Sequence, residues 1–244
     1  MSFTRWRSLV DGAEVDVGSE IPDSGLTHEY DARELGLSDQ DTIDPFSDNV
    51  GSKQLDAVGG PIYNTEQING NPVADYEGVD DYHEDGSPVP ATDGNEFMFA
   101  FVIAPRSDGS DGIEVGIANA DSSEGFSFSF GVSDGEWRIA MEGEASSVGG
   151  FPSLNDPHAG ICGYDGSNLI LEVGETEVVN QSASTRDRGV TGFSLGYDAN
   201  EDRFPFDCQI GHVRTHDEMF NSQDRGEYIS ALESSWGFTT PSQT

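Results

Sequence analysis

The order of apolar and polar positions is that of a β-protein over most of the chain. The most apolar stretch is Glu96 to Ala104, Glu-Phe-Met-Phe-Ala-Phe-Val-Ile-Ala. Successive side chains of an extended segment point to opposite faces, so Phe97, Phe99, Phe101 and Ile103 line one face and Met98, Ala100 and Val102 the other. Apolar residues on both faces predict a central strand covered from both sides, ended by Pro105. Gly125 to Val132 alternates instead: Phe126, Phe128 and Phe130 share a face, Ser127 and Ser129 the other. That is the pattern of a strand with one buried face. Ile113–Ala118 and Glu136–Met141 read as neighbouring strands, with Ser133-Asp134-Gly135 as a hairpin turn. Asn69-Gly70 is a tight-turn pair because both residues tolerate positive φ, and Pro72 begins an extended run. In that run Val73 and Asp75 face one way, Ala74 and Tyr76 the other. Gly78 breaks it, and Val79–Tyr82 is expected to restart it. Gly192–Tyr197 and Asp207–Thr215 complete the strands. Only then does the period change. Tyr228, Leu232 and Trp236 fall at i, i+4, i+8, the stripe of a helix of about 12–14 residues, with Ser222 as N-cap and Gly237 as stop. Alternating strands with frequent turns predict a two-sheet sandwich.

Composition changes this picture in one respect. Acidic residues number 46 against 11 basic ones, a net charge of −35, and Lys53 is the only lysine. Segments with 14 Phe, 7 Tyr and 3 Trp recur nearly end to end, which argues against disorder despite the charge. The balance suits a halophile: at 1 M salt the Debye length is about 3 Å, so repulsion among carboxylates is screened. It disfavours nucleic acid and anionic membrane surfaces, because no basic stripe exists to displace counterions from phosphates. Cys162 and Cys208 make neither a disulfide framework nor a four-ligand zinc site; one bridge or two buried thiols are the alternatives. Arg5 and Arg7 precede no apolar core, so no signal peptide is expected, and no apolar run reaches the length of a membrane span.

Three stretches resemble laminin-G-like, concanavalin-A-like jelly-roll domains. The first is Asn69-Gly70-x-Pro72 followed by Tyr76, Gly78, Asp80, Asp81 and Tyr82, with Leu26–Ala32 (Leu-Thr-His-Glu-Tyr-Asp-Ala) and Ser47–Leu55 before it. The second is the hairpin Tyr164-Asp165-Gly166 to Val179, where Gly174 and Glu175 replace the usual turn pair. The third is Ile210-Gly211, Asp217, Ser222, Arg225, Tyr228-Ile229, Leu232 and Trp236-Gly237. The resemblance covers about residues 26 to 238 in family order. It implies an all-β, two-sheet jelly-roll sandwich over residues 25–244 with a C-terminal helix, preceded by an N-terminal arm, residues 1–24. None of the matching residues belongs to an active-site motif.

Candidate chemistry is sparse. Asp198, Asn200 and Asp202 alternate as oxygen ligands of a Ca2+ loop do, although Arg203 and Gln209 replace the expected glycine and bidentate acid. Laminin-G-like domains hold calcium at a sheet rim, and Asp80, Asp81 and Tyr82 are the other rim residues expected to contact a ligand. Glu14, Asp16 and Glu20 resemble the acidic signature of jelly-roll β-glucanases with one residue too many, and lie outside the jelly roll. His212 and His216 would chelate together on a helix, but four residues of strand span about 13 Å. Tyr76, Tyr82, Trp137 and Tyr164 suit sugar stacking, yet aromatics in such a sandwich mostly fill the core.

These readings lead to a non-enzymatic structural and recognition protein on the surface of a haloarchaeal virus particle, made in the host cytoplasm, as a capsid turret, spike or tail component. The expected partners are further copies of the chain joined through the arm, other virion proteins, and a host-surface glycan or S-layer protein. No cofactor is required. The competing class is a free-standing carbohydrate-binding, lectin-like module. A glycoside hydrolase is third.

Overall fold

The computed structural model describes residues 21–85, 96–110, 112–121, 125–141, 145–184, 190–197 and 205–243, together with the strands at 7–10 and 13–16. In chain order the strands are β1 (Arg7–Val10), β2 (Ala13–Asp16), β3 (Leu26–Asp31), β4 (Phe46–Ser47), β5 (Gln54–Val58), β6 (Ile62–Ile68), β7 (Asn71–Glu77), β8 (Tyr82–Asp85) and β9 (Phe97–Pro105). They continue as β10 (Glu114–Asp121), β11 (Gly125–Ser133), β12 (Glu136–Met141), β13 (Ala145–Gly149), β14 (His158–Tyr164), β15 (Asn168–Val173), β16 (Thr176–Ser182), β17 (Val190–Leu195) and β18 (Asp207–His216). Helix α1 (Ser222–Trp236) follows.

Two eight-stranded antiparallel sheets form the body. The first runs β13-β12-β11-β10-β17-β8-β5-β4. The second runs β16-β15-β14-β9-β18-β7-β6, with β3 also on β18. One side of β18 is divided: Asp207–Ile210 pair with β7, and His212–His216 pair with β3. Its other side lies along β9 throughout. The N-terminal β1–β2 hairpin is a two-stranded sheet of its own.

The alternation read in the sequence explains how the sheets meet. Phe97, Phe99, Phe101 and Ile103 of β9 face the first sheet and join Phe128, Phe130, Trp137, Ile139 and Phe193 in one core. Rings meet directly across the gap, Phe101 on Phe130 at 4.4 Å and Phe99 on Phe128 at 5.3 Å between centroids. Each fully buried ring of this kind contributes about 1.5–3 kcal/mol through its removal from water. The opposite face of β9, with Met98, Ala100 and Val102, packs under Tyr228, Ile229, Leu232 and Trp236 of α1. The helix is therefore what the doubly apolar strand requires. Gly211 permits this contact: a Cβ there would sit 2.5 Å from the Trp236 ring, so the indole lies directly on the β18 backbone.

Local predictions hold with three corrections. Asn69 and Gly70 have φ of 51° and 83° and close the β6–β7 hairpin. Val79–Tyr82 does not restart a strand: 78–80 form a bend with Val79 72 % exposed, and β8 begins only at Tyr82. Ser222 is not the N-cap. Asn221 is, its side chain accepting from the N–H groups of Gln223 and Asp224 at 3.1 Å, so the helix has 15 residues. Strands β13 and β14 were not anticipated; β14 reads His-Ala-Gly-Ile-Cys-Gly-Tyr, whose glycines blur any alternation.

The cysteines are both buried and unbridged. Cys162 pairs with Phe99 and Cys208 with Pro105 of the same strand. Six residues of strand place them about 20 Å apart, beyond any disulfide.

Candidate functional site

The second sheet has two regions on its outer face. Helix α1 covers one; its end is tied down by Asn69 and Asn71, whose side-chain amides donate to the Trp236 carbonyl. The other carries a row of polar side chains that crosses β6, β7, β18 and the end of β9. Because Ala74 and Tyr76 turn inward to the core, Asp75 must turn outward. Gln209 is its direct cross-strand partner, and Arg106 leaves β9 on the same side.

Asp75 is the centre of the row. Its Oδ2 accepts from Arg106 Nη1 at 2.9 Å, from Gln209 Nε2 at 3.1 Å and from Asn64 Nδ2, while Oδ1 accepts from Arg106 Nη2. Arg106 also donates from Nε to Asp207 Oδ1 at 2.5 Å and from Nη2 to the Tyr76 carbonyl at 2.8 Å. The row extends outward through Asn64 Oδ1, which accepts from Gln40, and through Gln209, 3.5 Å from Gln67 Oε1. Burial would pull the Arg106 guanidinium down; the hydrogen bonds and charge of Asp75, then those of Asp207, outweigh it and hold it above its ordinary value. Asp75 is buried under its partners, Asn64, Gln209, Arg106 and Asp207 are half-buried, and Gln40 and Gln67 are exposed. The result is a preorganised, solvent-facing set of amide groups locked by one central ion pair. The ion pair and its hydrogen bonds fix the rotamers of the central side chains, which leaves outward-facing donors and acceptors in set directions.

The rim residues named from the sequence lie elsewhere. Asp80 is exposed. Asp81 is buried, and its Oδ1 accepts the Gly60 N–H at 2.6 Å. Tyr82 is half-buried and stacks on Tyr197, ring centroids 4.5 Å apart and 17° from parallel. The loop with Asp198, Asn200 and Asp202 lies outside the described residues, as do Glu20 and the side chains of Glu14 and Asp16. Among the described residues no group of three or more His, Cys, Asp or Glu side chains is arranged to hold a metal ion.

The two histidines of β18 are structural. His212 Nε2 lies 3.0 Å from Glu29 Oε1 and 3.9 Å from Asp31 Oδ2. His216 bonds the Ser24 carbonyl through Nδ1 at 2.7 Å and Tyr228 Oη through Nε2 at 3.0 Å. Between them Arg214 donates to Tyr228 Oη, to the Pro22 carbonyl and to Asp23. This network pins residues 22–24 to β18 and α1. Tyr76, Trp137 and Tyr164 are core residues. Among the described residues no helix is long and apolar enough to cross a membrane.

The central row was not anticipated from the sequence. One signal was present: Arg106 is one of few cations in a very acidic chain and directly follows the most apolar strand.

No family model and no curated protein matches the chain. Solved structures do. A sialidase of Trypanosoma rangeli in complex with the inhibitor DANA aligns with a TM-score of 0.63 and 10 % identity, over 87 % of this chain and 34 % of that one. The chain thus spans about a third of the sialidase's length. Domain 4 of AbnA, a GH43 extracellular arabinanase from Geobacillus stearothermophilus, in complex with arabinotriose, aligns with 0.56 and 12 % identity, over 84 % of this chain and 98 % of that domain. The receptor-binding domain of a botulinum neurotoxin C/D mosaic serotype aligns with 0.57 and 10 % identity, over 84 % and 51 %. At such identities the likeness is one of fold, and in fold the chain is an all-β, two-sheet sandwich of the type these domains share.

Proposed function

We propose that the chain is a carbohydrate-binding module that acts by binding rather than by cleaving bonds. The observation that carries this reading is the open row Gln40–Asn64–Asp75–Gln209–Gln67 with Arg106, a cross-strand set of fixed amide groups on a sheet face. The fold likeness to a domain in complex with arabinotriose supports it. The sandwich holds the centre of this row rigidly because Asn64, Asp75 and Gln209 stand on the neighbouring hydrogen-bonded strands β6, β7 and β18, so little order is lost on binding. The test is retention on insoluble polysaccharides in molar salt. Wild type should be retained on at least one, and Gln67→Ala with Gln209→Ala should release it. Retention on none, or retention unchanged by the double variant, refutes the reading.

One feature favours a second reading, in which the module belongs to a virus particle and the glycan lies on the host surface. The β1–β2 hairpin pairs with neither large sheet, and an isolated two-stranded hairpin is marginally stable in water. A partner strand from a second copy or another virion protein would complete it. Light scattering in molar salt, with and without residues 1–24, tests this: an oligomer that falls to monomer on truncation supports it, and a monomer in both cases refutes it.

A further inference from the structure

We infer that the row on the second sheet selects neutral glycans, sugars that offer hydroxyls only, and rejects those bearing carboxylate, sulfate or phosphate. The inference rests on the carbohydrate-binding reading above and names its ligand class.

The single cation of the row is Arg106, and it is already committed. A guanidinium has five N–H donors. Arg106 spends one on Asp207, two on the two oxygens of Asp75 and one on the Tyr76 carbonyl. Only one N–H remains, whereas recognition of an anionic group by arginine uses a fork of two parallel bonds. An acidic sugar would have to displace Asp75 or Asp207 from the cation. The charge around the row adds to this cost. Asp75, Asp207 and the exposed Glu77 on β7 outnumber Arg106, in a chain of net charge −35. Among the described residues of the row, an approaching carboxylate would meet net negative charge with no free counterion.

The remaining groups match hydroxyls. After their bonds within the row, Asn64, Gln67 and Gln40 each keep one N–H and an acceptor lone pair and Gln209 keeps its carbonyl oxygen, and a sugar hydroxyl is both donor and acceptor. Asn64 on β6 and Gln209 on β18 flank Asp75 on β7, with neighbouring strands about 4.8 Å apart, so such groups stand on both sides of the central ion pair. Neutral hydrogen bonds also keep their strength in molar salt, where the Debye length is about 3 Å and ionic recognition across solvent fades. The likeness to sialidases would by itself suggest an anionic sugar; the local chemistry of this chain points the other way.

The experiment uses the full chain in molar salt and calorimetry on matched probes: galactotriose against trigalacturonate, lactose against sialyllactose, and arabinotriose as a further neutral sugar. The expected result is binding of at least one neutral probe, with its acidic counterpart about tenfold weaker or more, a difference of about 1.4 kcal/mol. Asp207→Asn, at a half-exposed position, should narrow that gap by removing a negative charge beside Arg106 and weakening its hold on Nε, which an amide oxygen still accepts. An acidic probe bound as tightly as its neutral partner overturns the inference and leaves the sugar-binding reading standing. A gap unmoved by Asp207→Asn overturns the role given to Arg106. Binding of none of the probes, after retention on no polysaccharide, overturns the sugar-binding reading itself.

Discussion

Two buried histidines should make this protein acid-sensitive above the range where carboxylates titrate. His83 is fully buried between Phe46 and Tyr76. Tyr76 Oη lies 2.8 Å from its Nδ1, and its Nε2 lies 2.9 Å from the Ile43 carbonyl. The neutral ring satisfies both, with Nε2–H donating to Ile43. His216 is likewise satisfied as a neutral ring: Nδ1–H donates to the Ser24 carbonyl, and Tyr228 Oη, itself receiving from Arg214, donates to Nε2. Burial pushes both imidazoles down to about 4. The unfolded value is about 6.5. The unfolded chain therefore takes up protons first, so the stability these rings allow is complete above about pH 6.5 and falls as pH drops toward 4. At about pH 5 each ring accounts for a loss of about 1.5 pH units times 1.36 kcal/mol, or about 2 kcal/mol, and the pair for about 4 kcal/mol. Burial lowers His158 as well, in the same direction. Glu29, Asp31 and Asp48 are held below their ordinary range by their partners, against the opposing effect of burial. Their contributions are lost only below about pH 4.5, outside this window. Urea denaturation at fixed molar salt, at about pH 7.5 and about pH 5, measures the difference. His83→Gln, whatever it costs at the higher pH, should flatten the profile by about 2 kcal/mol. A wild-type profile that is flat or rises toward pH 5, or a His83→Gln profile as steep as wild type, would refute the argument.

Three further outcomes follow from local geometry. Gly226 sits exposed within α1, and a Cβ at that position would meet nothing within 4 Å, so Gly226→Ala should stabilise by about 0.5–1 kcal/mol in the same denaturation assay. Asn221→Ala removes the acceptor for two helix N–H groups and should cost about 1 kcal/mol. Gly211→Ala places a methyl group against the Trp236 ring and should cost about 1–3 kcal/mol, with a change in near-ultraviolet signal as the indole lifts off β18; an unchanged spectrum would mean that Trp236 does not rest there.

The strands legible in the sequence are those whose side chains alternate without interruption. β9 is apolar on both faces and could be placed at the centre; the stripe Tyr228–Leu232–Trp236 marked a helix, but only the structure shows that β9 is the strand it covers. The Asn69-Gly70 turn was legible because it requires left-handed φ at both residues. β14 was not, since Gly160 and Gly163 remove side chains where alternation would show. Asn221 and Ser222 look alike as caps in the sequence, because both residue types cap helices, and only the hydrogen bonds decide between neighbours. The row around Asp75 was hidden for a different reason. Its members come from residues 40, 64, 67, 75, 106 and 209, and sheet pairing alone brings them together. In a chain with 46 acidic residues, nothing local distinguished Asp75 from the others.

The place of β18 has a consequence in time rather than in space. It is the last strand of the chain, yet it fills the gap between β9 on one side and β7 and β3 on the other. Thr27 and Thr215, hydrogen-bonded across that seam, are 188 residues apart in sequence. As the chain leaves the ribosome, the second sheet exists as three separate pieces, β16-β15-β14-β9, the β6–β7 hairpin and β3, with open edges until residue 216 emerges. Closure of so distant a contact is slow, and open edges invite pairing with other chains meanwhile. A nascent chain stopped before Asp207 would thus carry most of the aromatic core and none of the strand that seals it, and should aggregate rather than fold.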